Sequence, residues 1–161
     1  MGDSVLQIEQ QIDISEKNLS RLLDWNGRFD NKSSILIAID FGMMGVLALV
    51  SHLRYSLYEE ISVGLSLGFL AISILSIIYG EYPRIDPPSN SLIYSNTIAK
   101  RNLEAFRSDF KNLSKEGYLL DLLSQCYVNA KIINRKAYSL RFALFWTVAA
   151  LVPWTISIFF A

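Results

Sequence analysis

Asp40 stands seven residues inside an apolar run, 33–50, in which it is the one ionisable side chain. An ionised carboxylate at the centre of a membrane-spanning helix costs about 2.5–3.5 kcal/mol on insertion scales, so it must face protein, water or a proton. Two readings fit. The residue lines a pore or joins neighbouring helices, charged or protonated, on a helix that Ala38, Gly42 and Gly45 keep small; or it sits shallow enough to meet lipid headgroups, with Lys32 nearby. Gly64 and Gly68 form a GxxxG pair in a second apolar run, with hydroxyls at Ser66, Ser73 and Ser76. Small residues let helix backbones approach and serines bond across the contact, either between two spans of one chain or between subunits.

A third set is basic. Arg84, Lys100 and Arg101, with Tyr82 and Tyr94 close in sequence, offer charge and a stacking face to an anionic nucleotide. Solvated helix charges account for the same residues equally well. Lys131, Arg135, Lys136 and Arg141 precede the last apolar run, where such side chains ordinarily meet lipid phosphates. Other chemistry is poorly served. His52 and Cys126 are single, which leaves no intrachain disulfide, no cysteine-based zinc cluster and no hydrolase triad. No P-loop or dinucleotide-binding glycine pattern is present. We therefore expect a protein that is not an enzyme, with no catalytic residues, no metal ligands and no resident cofactor.

The elements that must position these residues follow from hydropathy. The runs 33–50, 61–79 and 142–161 are each about 18–20 residues long, enough to cross a bilayer core at about 1.5 Å per helical residue. The first two are separated by a short stretch, 51–60, and the last two by about 60 mostly polar residues. With 161 residues and 52% apolar composition, the chain reads as one small all-α membrane unit in four segments. These are a cytoplasmic amphipathic helix (1–32), a transmembrane hairpin (33–79), a cytoplasmic helical segment (80–140) and a third transmembrane helix (141–161). The start of the chain shows no signal-peptide pattern, so the first span is expected to persist.

Within the first segment, Val5, Ile8, Ile12, Leu19 and Leu22 recur at coiled-coil spacing, with Ser15 in the one polar seam position. The stripe needs a partner: another subunit, the other cytoplasmic helices or the membrane surface. Gly80, Pro83, Pro87 and Pro88 should end the second span in a turn. Leu103, Phe106, Phe110 and Leu113 then mark one face of a helix over 96–113, ended near Gly117. From Tyr118 a helical stripe runs through Leu119, Leu123, Cys126, Tyr127, Ala130, Ile133 and Ala137 into the third span. One long helix is predicted there, stiff enough to transmit a cytoplasmic event to the membrane.

At Phe29-Asp30-Asn31-Lys32-Ser33-Ser34-Ile35-Leu36 the chain resembles the membrane effectors of Pycsar anti-phage systems, which carry an Asp-x-Lys and a small residue where they enter the first span. The likeness continues at Ser91-Leu92-Ile93-Tyr94 with Ile98, at Asp121-Leu122-Leu123-Ser124-Gln125-Cys126-Tyr127 and at Lys136-Ala137-Tyr138-Ser139-Leu140-Arg141. Two positions depart from that family: Asp40 stands where a neutral polar residue such as Asn is expected, and Tyr94 where Phe is usual. The resemblance implies an effector paired with a pyrimidine nucleotide cyclase, activated by cyclic CMP or cyclic UMP to impair the bacterial inner membrane and cause abortive infection. We further expect membrane lipid as a partner, assembly as a homo-oligomer and no nucleic acid. The alternatives are a docking subunit of another membrane complex and a holin-like toxin without ligand control.

The zero net charge hides an asymmetry that fixes orientation. Lys17, Arg21, Arg28 and Lys32 precede the first span and ten basic residues follow the second, from Arg84 to Arg141, whereas Arg54 is alone between them. The positive-inside rule places the N-terminus and the middle segment in the cytoplasm. Reporters fused after Gly80 and before Ser139 should therefore read cytoplasmic, and one within 51–60 external. A periplasmic reading from the middle segment would overturn the orientation.

Overall fold

The computed structural model describes residues 6–51, 57–82 and 91–159. Five helices follow in order: α1 (Ile8–Ser51), α2 (Leu57–Glu81), α3 (Ser95–Ala99), α4 (Leu103–Lys111) and α5 (Lys115–Phe159). There is no strand among the described residues. Three of the helices, α1, α2 and α5, are long and apolar enough to cross a membrane. His52, Arg54, Arg84 and the prolines of the turn after the second span lie outside the described residues.

The expected border at 32/33 falls inside α1, which continues without interruption from the amphipathic stripe into the apolar run. A break also appears where one helix was predicted. Asn102 adopts an extended conformation and its side-chain oxygen accepts the Glu104 N–H at 3.2 Å, so it caps a new helix and divides 96–113 into α3 and α4. Gly117 does not terminate a helix. It lies in the first turn of α5, where its N–H donates to Ser114 Oγ at 3.0 Å, so Ser114 caps α5.

The chain divides into two compact units, Met1–Gly27 with Pro83–Ile133, and Arg28–Tyr82 with Asn134–Ala161. In the first unit, the α1 stripe meets α5 of the same chain. Ser15 is buried, and its carbonyl accepts the Cys126 thiol at 3.5 Å. Tyr118 Oη donates to Glu16 at 2.7 Å and Lys115 pairs with Glu9 at 2.6 Å. The polar seam position thus marks where the two helices approach, so α5 of the same chain is one of the partners that the stripe meets.

In the second unit the three long helices pack in layers. Leu36, Ile77 and Ala143 form one apolar layer, with Ile37 and Leu140 against it. Met43, Leu47, Leu70 and Ala150 form another, with Val63, Phe69 and Trp154 against it. Rising numbers on α1 and α5 match falling numbers on α2, so α2 runs antiparallel to both. Large apolar side chains also face outward, among them Phe41, Leu49, Leu75, Phe145 and Val152. An apolar exterior of this kind is costly in water and ordinary against lipid.

Glycine placement removes one of the two roles open to the GxxxG pair. Gly64 and Gly68 are exposed, and a Cβ at either would meet nothing within 4 Å. They do not pack the hairpin. The buried face of α2 carries Ser62, Ser66, Leu70, Ser73, Ile77 and Gly80 instead. Gly80, read from sequence as a breaker, is helical, and a Cβ there would lie 2.5 Å from Ser139 Cβ. Gly80→Ala should therefore lower stability by about 1–3 kcal/mol, the usual range for overpacking. Gly64→Leu and Gly68→Leu should not lower the stability of the single chain, since neither meets a neighbour and Leu is the better helix former. Unfolding in detergent measures all three, and a large loss in the Leu variants would contradict the packing described.

Candidate functional site

Between the two apolar layers lies a polar one, to which each long helix contributes a side chain. Asp40 from α1 is fully buried, as is Ser73 from α2, and Thr147 from α5 is 6% exposed. Asp40 Oδ2 is 2.6 Å from Ser73 Oγ, Asp40 Oδ1 is 2.8 Å from Thr147 Oγ1, and the two hydroxyl oxygens are 2.9 Å apart. Asp40 is therefore interhelical rather than placed toward headgroups. One residue satisfies hydroxyls from both other helices, a role served by side-chain hydrogen bonds inside membranes.

A second polar layer stands where the apolar runs begin. The Lys136 ammonium pairs with Asp30 and, at 2.7 Å, with Glu81. Ser33 Oγ donates to Glu81 at 3.2 Å, and Ser139 Oγ donates to the Ser76 carbonyl at 2.8 Å. With its side chain 10% exposed, Lys136 is an internal ion-pair partner, which corrects its assignment to lipid phosphates. Arg135 of the same group donates to the Tyr79 carbonyl at 3.0 Å, its guanidinium 5.2 Å from the Tyr79 ring. Lys32 and Arg141 remain exposed. Asp30 and Lys32, paired in the sequence motif, part company in the structure: Asp30 meets Lys136, and Lys32 lies 5.8 Å from the Phe29 ring.

In the first unit, segment 91–94 is tied to α5. Asp121 accepts the Leu92 N–H at 2.7 Å, and Gln125 Nε2 donates to Ser91 Oγ at 3.1 Å. Ser91 Oγ also accepts the Tyr94 N–H at 2.9 Å. This tie sets the start of α3, with Tyr94 as its N-cap and Lys100 as its C-cap. Tyr94 and Lys100 thus stand at opposite ends of α3, about 9 Å apart along its axis. Lys100 is exposed, and the Arg101 guanidinium is engaged by Asp109. Arg84 lies outside the described residues. Among the described residues, no three His, Cys, Asp or Glu side chains converge as a metal site requires.

These contacts join the short motifs that the sequence holds far apart. Asp30 of the first meets Lys136 of the last, and Ser91 of the second meets Gln125 of the third. A comparison with known families agrees: the Pycsar effector protein domain, PycTM, matches residues 14–161. The chain belongs to the Pycsar effector family. A curated Pycsar effector protein, GmPycTM of Gulbenkiania mobilis, is 26% identical over 110 residues, covering 62% of this chain and 56% of that protein. The match thus spans little more than half the length of that Pycsar effector. No solved structure matches the chain.

Thr147, Glu81, Asp121 and Gln125 were not singled out for these roles from sequence, and Ser73 was named only as one of three serines able to bond across a helix contact. Serine and threonine on apolar helices are common, and only helix pairing reveals which of them meet a carboxyl. For Lys136 the signal was available: acidic Asp30 and Glu81 lie at the same ends of the apolar runs. Removing Lys136 leaves two carboxylates adjacent without their shared cation. We expect Lys136→Met to cost about 1–3 kcal/mol in detergent unfolding, against about 0.5 kcal/mol or less for the exposed Arg141→Met. Equal effects would show that Lys136 is not an internal partner.

Proposed function

We propose that the chain is the membrane effector of an anti-phage Pycsar system, activated by a cyclic pyrimidine mononucleotide to impair the bacterial inner membrane and cause abortive infection. The observation that carries this reading is the family match over 14–161 in a chain with three helices able to cross a membrane. A paired pyrimidine cyclase supplies cyclic CMP or cyclic UMP, and the effector performs no catalysis of its own. Its N-terminus is cytoplasmic, in keeping with the basic residues that flank the first span.

The nucleotide binds the first unit, which carries the polar residues outside the apolar runs. Tyr94, Lys100, Arg101 and Arg84 are the proposed ligand residues. A cyclic phosphate has one negative charge, and Arg101 can hold it in place of the half-exposed Asp109, whose pairing in water is worth little. Homo-oligomer assembly is supported by the outward Gly64 and Gly68, which leave α2 open to close backbone approach by a second copy.

Calorimetry on purified protein in detergent, against cyclic CMP, UMP, AMP and GMP, tests this reading. We expect one pyrimidine to bind in preference to both purines. Arg101→Ala or Arg84→Ala should weaken that binding about ten- to a hundredfold, the worth of one charge-assisted hydrogen bond. Unchanged affinity in both variants would discard the residues, and no binding to any of the four by folded protein would overturn the ligand class.

A further inference from the structure

The polar layer of the second unit has one more contact than its hydroxyls have protons. Three short oxygen–oxygen contacts close a ring: Asp40 Oδ2 to Ser73 Oγ at 2.6 Å, Ser73 Oγ to Thr147 Oγ1 at 2.9 Å, and Thr147 Oγ1 to Asp40 Oδ1 at 2.8 Å. Each needs a proton between its oxygens. A serine and a threonine bring one each, and an ionised carboxylate brings none. The Ala143 carbonyl, 3.3 Å from Thr147 Oγ1, is a further acceptor and only deepens the shortage.

We propose that Asp40, Ser73 and Thr147 form a proton-binding site, in which Asp40 is held as a neutral carboxylic acid. The third proton completes the ring: the acid donates to Ser73, Ser73 to Thr147, and Thr147 back to the other carboxyl oxygen. The reverse sense serves equally well. Every oxygen of the ring then takes part in both of its contacts, which matters because Asp40 and Ser73 are fully buried and an unmade bond in an apolar layer costs its whole desolvation.

Charge balance argues the same way. Asp40 is the only Asp, Glu, Lys or Arg in 33–51, and there is none in 61–80 or in 142–159. The nearest on α5 in sequence is Arg141, exposed and about 9 Å along the helix from Thr147. On α2, Glu81 lies eight residues from Ser73 and already has Lys136. No cation therefore faces the ring among the described residues, and an ionised Asp40 would be a buried charge without a counter-charge. With the proton bound, the three spans cross the apolar layer carrying no net charge. This site stands independently of the nucleotide that activates the protein.

Infrared spectroscopy of the purified protein in detergent at neutral pH reads the proton directly. We expect the wild type to show the carbonyl stretch of a protonated carboxylic acid, shifted by carbon-13 labelling of aspartate and missing from Asp40→Asn. Absence of that band from the labelled wild type would overturn the proposal, and needs no variant to fold. Asparagine closes the same ring, its amide N–H donating to Ser73 and its carbonyl accepting from Thr147. Asp40→Asn should therefore melt within about 2 °C of wild type, a difference below about 1 kcal/mol, while Asp40→Leu melts well below both. Equal losses in the two variants would mean that the site holds a charge, not a proton.

Discussion

A carboxyl group carried into an apolar layer has no water to turn to, so the protein around it must supply its hydrogen-bond partners. Asp40 imposes that demand on the whole second unit. Ser73 must come from α2 and Thr147 from α5, both within 3 Å of the same carboxyl group, and that fixes the rotation and register of three helices at once. The apolar layers on either side comply: Leu36, Ile77 and Ala143 lie one turn to one side, and Met43, Leu70 and Ala150 about one turn to the other. In water such layers would form to hide apolar surface. Between lipid tails that force is absent, and close packing with interhelical hydrogen bonds holds the helices together.

The same logic operates at the end of the apolar layers. Lys136 brings Asp30 of α1 and Glu81 of α2 together on α5, and Gly80 admits Ser139 by having no side chain. Charge is placed where the apolar layer ends and hydroxyls where it is deep. The order follows the cost of burial, since an ion pair needs some hydration that a hydroxyl ring does not. The Pycsar effector motifs at 29–36 and 136–141 contribute Asp30, Ser33, Lys136 and Ser139 to these contacts. Those two stretches, distant in sequence, are thus physically linked.

Much of the fold was legible because hydropathy dictates length and position for helices that cross a membrane. The three long helices, the continuity of α5 and the burial demand on Asp40 follow from residue type alone. Pairing did not. The GxxxG pair looked like the hairpin contact, yet serine and Leu70 occupy that face and the glycines point outward; any small-residue stripe permits close approach, and nothing in it says whose backbone approaches. Lys136 looked like a lipid anchor because its neighbours Lys131, Arg135 and Arg141 fit that role, and its helical position relative to Asp30 appears only on folding. The break at Asn102 was missed because a four-residue apolar face suggested one helix, whereas the local bond to Glu104 outweighed that weak periodicity.

If Asp40 joins the spans through both hydroxyls, Ser73 and Thr147 must depend on each other. A double-mutant cycle of Ser73→Ala and Thr147→Val, read by unfolding in detergent, measures that dependence. Coupling of about 0.6–1.7 kcal/mol, from the average to the maximum found for side-chain hydrogen bonds within membranes, is the expected result. Additive losses, with each hydroxyl indifferent to the other, would contradict the ring and leave the three helices held by packing alone.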